Sequence, residues 1–359
     1  MKWITTSLLI ACCAMIGCVV YGCTRSKYDR EIQNVSYDPT RELYKEINKS
    51  FEELWLHEKN EKIKVNLSNG GSGAQSSAVI NGSPADVVTL ALGYDIDAIH
   101  EHAGLLSADW QKRLPNNSCP YTSTIVFLVR RGNPKNIRDW DDLLKNDVTI
   151  ITPNPQTSGG ARWNYLAAWG YILKKELGDW KALTDPARTD DLAAAQVKAR
   201  DFVQKLFNDA KAPAKQVGAR GSTQQFVRNG EGDVLLAWEN EALLFTIGKD
   251  GHDFEVVIPG ISILAEPPVT VVDKNVDKKG TRDLAEAYLD YLYQPAAQEI
   301  IAKNHYRPTD PAVFAKYVEK FQQLELFTID EVFGGWLKAQ KEHFAPGGTY
   351  DQLIIKAGK

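Results

Sequence analysis

Cysteine is almost absent from the body of this 359-residue chain. Of its five cysteines, Cys12, Cys13, Cys18 and Cys23 fall in the first 23 residues, which leaves Cys119 alone. One thiol cannot form an internal disulfide, so the fold must be held by core packing. Cys119 lies in a turn-like Asn116-Asn117-Ser118-Cys119-Pro120 stretch and reads as inert, not as a nucleophile. An excess of positive charge is also lacking: 42 Lys and Arg stand against 46 Asp and Glu, a net charge of −4. That excludes the basic footprint of a nucleic-acid binder. If an anion binds, local geometry must attract it, because the field of the whole molecule does not. The six histidines (His57, His100, His102, His252, His305 and His343) form neither a nucleophile elbow nor a metalloprotease motif. His100 and His102 are two apart and face different sides of a helix. No metal, no cofactor and no catalytic residue is assigned. Asp95 and Asp97 read as an exposed helix start, where acidic residues complement the helix dipole and need no acid–base role.

The N-terminus carries a leader. Lys2 precedes an uncharged stretch over residues 3–23, followed by Thr24-Arg25-Ser26-Lys27. A charged start, an apolar run and a small-residue exit are the pattern of a secretory signal. Three readings stay open: a lipoprotein signal ending at Gly22-Cys23, a plain cleaved signal, and an uncleaved anchor about 20 residues long. The first is preferred, with Cys23 lipid-modified. Cys18 is a second candidate, but it would leave the apolar Val19-Val20-Tyr21 at the mature N-terminus. All three readings put the body in the periplasm or otherwise outside the cytoplasm, with residues 24–33 as a tether.

The length suits two lobes better than one core. Strand-like runs at residues 62–68, 86–90, 124–129, 149–152, 233–238 and 269–272 alternate with helical stretches at 75–80, 191–206 and 280–292. That alternation predicts an α/β fold whose lobes are mostly parallel sheets flanked by helices. Residues 123–129 and 268–273 are placed to cross between the lobes as a hinge. The expected division is 34–122 with 268–350 in the first lobe and 123–267 in the second. Hinge closure around a ligand follows from such a layout.

Four stretches carry chemistry. Asn69-Gly70-Gly71-Ser72-Gly73 follows a strand and precedes a helix. Its glycines allow close backbone approach, and the helix start points free N–H groups at the loop. Pro153-Asn154-Pro155-Gln156-Thr157-Ser158-Gly159-Gly160 repeats the design, with Ser158 at an N-cap position. Gly218-Ala219-Arg220-Gly221-Ser222-Thr223 is a third helix start of similar composition. Leu236-Ala237-Trp238-Glu239-Asn240-Glu241 ends a strand, and the Trp238 indole is a donor only. Glu239 and Glu241 read as closure or partner-facing contacts. Together these stretches offer hydroxyls, backbone N–H groups and an indole, with no evident acceptor for a ligand proton. Such a set suits a fully ionised tetrahedral dianion and leaves a protonated phosphate with an unpaired O–H, a cost of roughly 1–3 kcal/mol.

These residues carry a resemblance. The chain resembles the periplasmic sulfate-binding proteins of the type II solute-binding family, which serve sulfate and thiosulfate ABC importers. The likeness runs over about residues 33–355 and rests on Val35-Ser36-Tyr37-Asp38-Pro39-Thr40-Arg41-Glu42-Leu43-Tyr44, the Gly70–Gly73 turn, Ala85-Asp86-Val87-Val88-Thr89-Leu90-Ala91, residues 120–134, 152–171, 218–223 and 237–244, Tyr306-Arg307-Pro308, residues 326–330 and Phe333-Gly334-Gly335-Trp336. It implies a two-lobed binding protein, not an enzyme, that captures sulfate between its lobes and delivers it to a membrane permease. Thiosulfate and other tetrahedral oxyanions such as molybdate stay open as ligands, and an exported hydrolase using Ser72 or Ser158 is the alternative from another class. The resemblance implies hydroxyl donors at Ser72 and Ser158, backbone donors at Ser72, Gly159, Gly160 and Ala219, and the Trp238 indole N–H. It places Asp38, Arg162 and Arg220 as groups that brace the donors without touching the ion. It also implies a monomer. The leader, Cys119 and an added stretch at residues 178–191 depart from the family pattern.

Overall fold

The computed structural model of the chain describes residues 27–209, 218–246 and 252–357. The leader, with Cys18 and Cys23, lies outside the described residues. Among the described residues the strands are β1 (Arg30–Tyr37), β2 (Ile63–Gly70), β3 (Val87–Thr89), β4 (Tyr121–Thr122), β5 (Ile125–Arg130), β6 (Ile150–Ile151), β7 (Val234–Trp238), β8 (Phe254–Val257), β9 (Ile261–Ile263), β10 (Val269–Val271), β11 (Arg307–Pro308) and β12 (Glu325–Phe327).

They build a two-lobed α/β molecule. The first lobe's sheet has the order β10-β3-β1-β2. β1 runs parallel to β2 along its whole length, from Arg30↔Ile63 to Tyr37↔Gly70, and parallel to β3. β10 closes the sheet antiparallel to β3. The second lobe's sheet has the order β6-β7-β5-β8. There β6 is parallel to β7, while β5 is antiparallel to both of its neighbours. The Ile125-Val126-Phe127-Leu128-Val129 run is buried on both faces, as a continuous apolar strand at the centre of a covered sheet should be. The helix Gly159–Leu177 packs on this sheet with residues buried all round it, including Trp163, Tyr165, Leu166 and Leu173.

β5 enters the second lobe just after Ser123, and the chain returns just after Ala265. These two residues exchange both backbone hydrogen bonds at 2.9 Å. The chain therefore passes between the sheets at Ser123 and Ala265, side by side in one short ribbon, whereas the bulk of the stretches expected to cross, 123–129 and 268–273, runs inside the sheets as β5 and β10.

The expected boundary at residue 350 needs correction. The helices Arg282–Tyr291 and Pro295–Lys303 do complete the first lobe, with Leu284, Tyr288 and Ile301 in its core. β12 instead pairs in parallel with β9. Phe327, Phe333, Trp336, Tyr350 and Leu353 then sit in the second lobe's core beside Trp163, Tyr165 and Trp169. The chain therefore crosses a third time, between β11 and β12. Burying each of these large side chains contributes roughly 2–3 kcal/mol, which is ample reason for the segment to settle there. The fit is close: a Cβ on Gly170 would stand 2.1 Å from Phe327 Cζ, so the helix needs glycine at that point.

Candidate functional site

Three helix N-termini converge on one point between the lobes. β2 ends at Gly70, and the helix Ser72–Ile80 starts immediately, three residues before the expected start at 75. Gln75 N–H is the first to bond within the turn, to Gly71 O. Ser72, Gly73 and Ala74 therefore present the free N–H groups of the helix end. In the second lobe Ser158 is the N-cap of Gly159–Leu177, its Oγ accepting from Ala161 N–H at 3.4 Å. Gly159 and Gly160 N–H are the first two of that helix and have no intrahelical acceptor. The helix Ala219–Val227 starts after Gly218, and Gly221 and Ser222 N–H already donate to Gly218 O, so Ala219 and Arg220 N–H are left at its tip. The end of β7 brings Trp238 to the same place.

A small cavity is lined by Ser72, Ser158, Gly159, Gly160, Ala219 and Trp238, with Tyr37 and Asp38 on the first-lobe side. All six residues expected to touch a ligand reach this wall. A larger, open cleft adjoins it and shares Ser158 and Gly159.

Trp238 gives the cavity its clearest donor. The residue is 1% exposed, and its Nε1 is buried with no partner among the described residues. Its ring is held at 5.5 Å from Tyr37 and 6.4 Å from Trp163, centroid to centroid. A Cβ on Gly160 would come within 2.5 Å of that Nε1, so only glycine lets the indole and the helix end point at the same spot.

The two serine hydroxyls differ. Ser158 Oγ accepts from Ala161 N–H and donates to no group among the described residues, which leaves its proton for the cavity. Ser72 Oγ donates to Asp95 Oδ2 and accepts Ala91 N–H at 3.0 Å. Ser72 thus faces the cavity with its backbone N–H while its hydroxyl is engaged by Asp95. The expectation that Asp95 is exposed is overturned, because it is 3% exposed. Burial pushes its carboxyl up, opposed by Arg162 and the Ser72 hydroxyl. Its place in the first turn of Gly93–Ala103 gave no local sign of this.

Arg162 and Arg220 brace the helix ends from outside. Arg162 Nε donates to Pro155 O at 2.9 Å, Nη1 donates to Gln340 Oε1 at 3.0 Å, and Nη1 lies 3.9 Å from Asp95. Arg220 Nη2 bonds Glu42 Oε2 across the lobes at 2.7 Å. Its Nε lies 2.8 Å from Glu241 Oε1, an ion-pair contact outside hydrogen-bond geometry. Glu241 also accepts from Thr223 Oγ1 at 2.8 Å, and burial pushes its carboxyl up. Glu239 pairs with Arg307, a partner the sequence did not suggest. Both glutamates are 1% exposed, so neither faces an external partner. Asp38 is the one carboxylate on the cavity wall among the described residues. Its Oδ2 lies 2.8 Å from where a Gly218 Cβ would stand. Burial raises its carboxyl, with Arg41 and Arg220 opposing.

Known proteins share this arrangement of lobes. The sequence model of the bacterial extracellular solute-binding protein family matches residues 32–307. A sulfate-binding protein of Escherichia coli is 58% identical over 327 residues, 90% of this chain and 93% of that protein. A thiosulfate-binding protein of Pseudomonas aeruginosa is 47% identical over 322 residues, 89% of this chain and 91% of that protein. Among solved structures, the sulfate-binding protein of Mycobacterium tuberculosis matches with a TM-score of 0.75 at 31% identity, covering 88% of this chain and 99% of that one.

Proposed function

The chain belongs to the bacterial extracellular solute-binding proteins, a family of binders and not of enzymes, and from that premise we propose that it captures sulfate between its lobes and delivers it to the permease of an ABC importer. One observation carries the reading: three free helix ends and an indole N–H without a partner among the described residues meet on a cavity that no cationic side chain among those residues lines. Helix N-termini favour anions through oriented N–H groups and the dipole. Each hydrogen bond to a charged acceptor contributes about 1.5–3 kcal/mol, and several together offset much of the cost of stripping water from a dianion. Ser158, Gly159, Gly160, Ala219, Trp238 and the Ser72 N–H are the assigned donors. Asp38, Asp95, Arg162 and Arg220 hold them in place. The names of the relatives support sulfate, with thiosulfate as the second ligand to test.

Isothermal titration of the purified protein tests this. Sulfate is expected to bind one to one, and phosphate at least tenfold more weakly. Absence of heat with sulfate overturns the assignment. Phosphate binding within threefold of sulfate would mean that Asp38 accepts a hydrogen bond from the ligand's O–H, and the selectivity argued from a wall of donors would be wrong. Competition with thiosulfate ranks the two ligands. We further assign the lipid anchor to Cys23 and a monomeric state, which the mass of the mature N-terminus and sedimentation of the soluble body respectively test.

A further inference from the structure

Two of the three crossings meet at a buried ion pair, and the other is paired to the first at Ser123 and Ala265. Glu239 follows Trp238 directly, and its N–H donates to Thr124 O in the first crossing at 2.9 Å. Its two carboxylate oxygens accept from Arg307 Nε and Nη2, both at 2.7 Å. The side chains are 1% and 10% exposed. Arg307 belongs to the first lobe: its strand β11 pairs with β4, Arg307 opposite Thr122. Arg307 Nη2 also donates to Gln322 O in the third crossing at 2.9 Å, and the guanidinium lies 5.4 Å from the Phe321 ring.

A bidentate guanidinium–carboxylate pair fixes both distance and angle. In an interior of low dielectric it does so firmly, and lobe motions pivot at element ends such as these. The pair resists sliding of the lobes past one another, and their rotation is taken up in the chain on either side of it. It also sets where Trp238 stands. On its N-terminal side Trp238 is held by pairing with Ile125, and on its C-terminal side by the fork on Glu239. We propose that the Glu239–Arg307 pair is the pivot of lobe closure and a positioning pair for Trp238, keeping the indole N–H aimed at the anion while the first lobe closes over it. This rests on the sulfate-capture reading.

The test separates positioning from mere stability. Arg307→Lys keeps the charge and loses the fork. The double variant Glu239→Gln, Arg307→Met removes both charges at similar volume, a replacement that buried ion pairs often tolerate. Both variants are expected to melt, without sulfate, close to the wild type. Both are expected to bind sulfate about tenfold more weakly and to show less of the sulfate-induced contraction seen by small-angle X-ray scattering. Added to Trp238→Phe, Arg307→Lys should cost less than a further twofold, because its effect passes through the indole. Wild-type affinity and full contraction in Arg307→Lys overturn the proposal, and that variant decides alone if the double variant does not fold. Additive losses with Trp238→Phe overturn the route through the indole. A wild-type protein that neither binds sulfate nor contracts overturns the capture reading itself, and the pivot falls with it.

Discussion

Gly160→Ala puts the geometry of the cavity at risk with a single methyl group. The new Cβ would stand 2.5 Å from Trp238 Nε1, 3.3 Å from its Cδ1 and 3.4 Å from Ala219 Cβ. Ordinary contact begins near 3.4 Å, so the indole or the helix end must move by about 0.9 Å. The ring cannot yield freely, since it is packed against Tyr37 and Trp163. Overpacking of this kind costs about 1–3 kcal/mol in the anion-free protein. The larger effect falls on binding. A displaced indole loses a hydrogen bond to a charged acceptor, about 1.5–3 kcal/mol. At about 1.4 kcal/mol per factor of ten, sulfate affinity should fall roughly tenfold to 150-fold. Titration calorimetry reads the affinity, and melting with and without sulfate separates it from stability. Binding within threefold of the wild type, in a protein that still folds, would refute the claim that Gly160 and Trp238 serve one anion.

Ser158→Asp should leave the fold intact, because aspartate caps a helix as well as serine, yet abolish sulfate binding by setting a carboxylate against the dianion; retained affinity in the same titration would remove Ser158 from the site. Gly170→Ala is the converse, since its Cβ would meet Phe327 Cζ at 2.1 Å, far from the cavity wall. It should lower the melting temperature by roughly 3–10 °C and leave the affinity of the folded protein within twofold, and unchanged melting would refute the contact. His343 is buried and accepts or donates at 3.1 Å to Tyr165 Oη. Burial lowers its imidazole from 6.5 to about 4, so it is neutral in the folded protein and protonates first in the unfolded chain. Its contribution is therefore whole above about pH 6.5 and is lost as pH falls toward 4, by about 3 kcal/mol in all. Denaturant titrations at pH 7 and pH 4.5 should show wild type losing more stability than His343→Gln by most of that amount, and equal losses would refute it.

The site was legible in the sequence because its parts are local. A helix N-cap is written in a few adjacent residues, and Ser158-Gly159-Gly160 says the same thing in one dimension as in three. Gly218-Ala219 and Gly70-Gly71-Ser72 are equally local. What bound these segments into one cavity was not local, and the residues missed are those whose role depends on a distant partner. Asp95 looks like any acidic residue in a first turn until Ser72 and Arg162 are seen beside it, 23 and 67 positions away. Glu239 and Glu241 look like surface charges until Arg307 and Arg220 cover them.

The C-terminal segment failed for a related reason, and the failure bears on how the lobes move. Residues 326–330 and 333–336 enter the sequence reading only through the resemblance, and nothing in them says against which core their apolar side chains pack, since the first and second lobes offer chemically similar surfaces. The choice is made by a shape match, the Phe327 ring over the bare face of Gly170. Once that match is made, a third strand of chain must pass through the hinge, and Arg307, whose Tyr-Arg-Pro motif had no evident use in the sequence, acquires a carbonyl at Gln322 and a carboxylate at Glu239 to hold. A hinge of two strands can twist and shear. With two of three strands tied at one buried ion pair, and the remaining one paired to them at Ser123 and Ala265, rotation is the easier motion. Rotation is also the motion that would bring Ser72 toward Gly159 and Gly160 without disturbing Trp238, which stands beside the pivot.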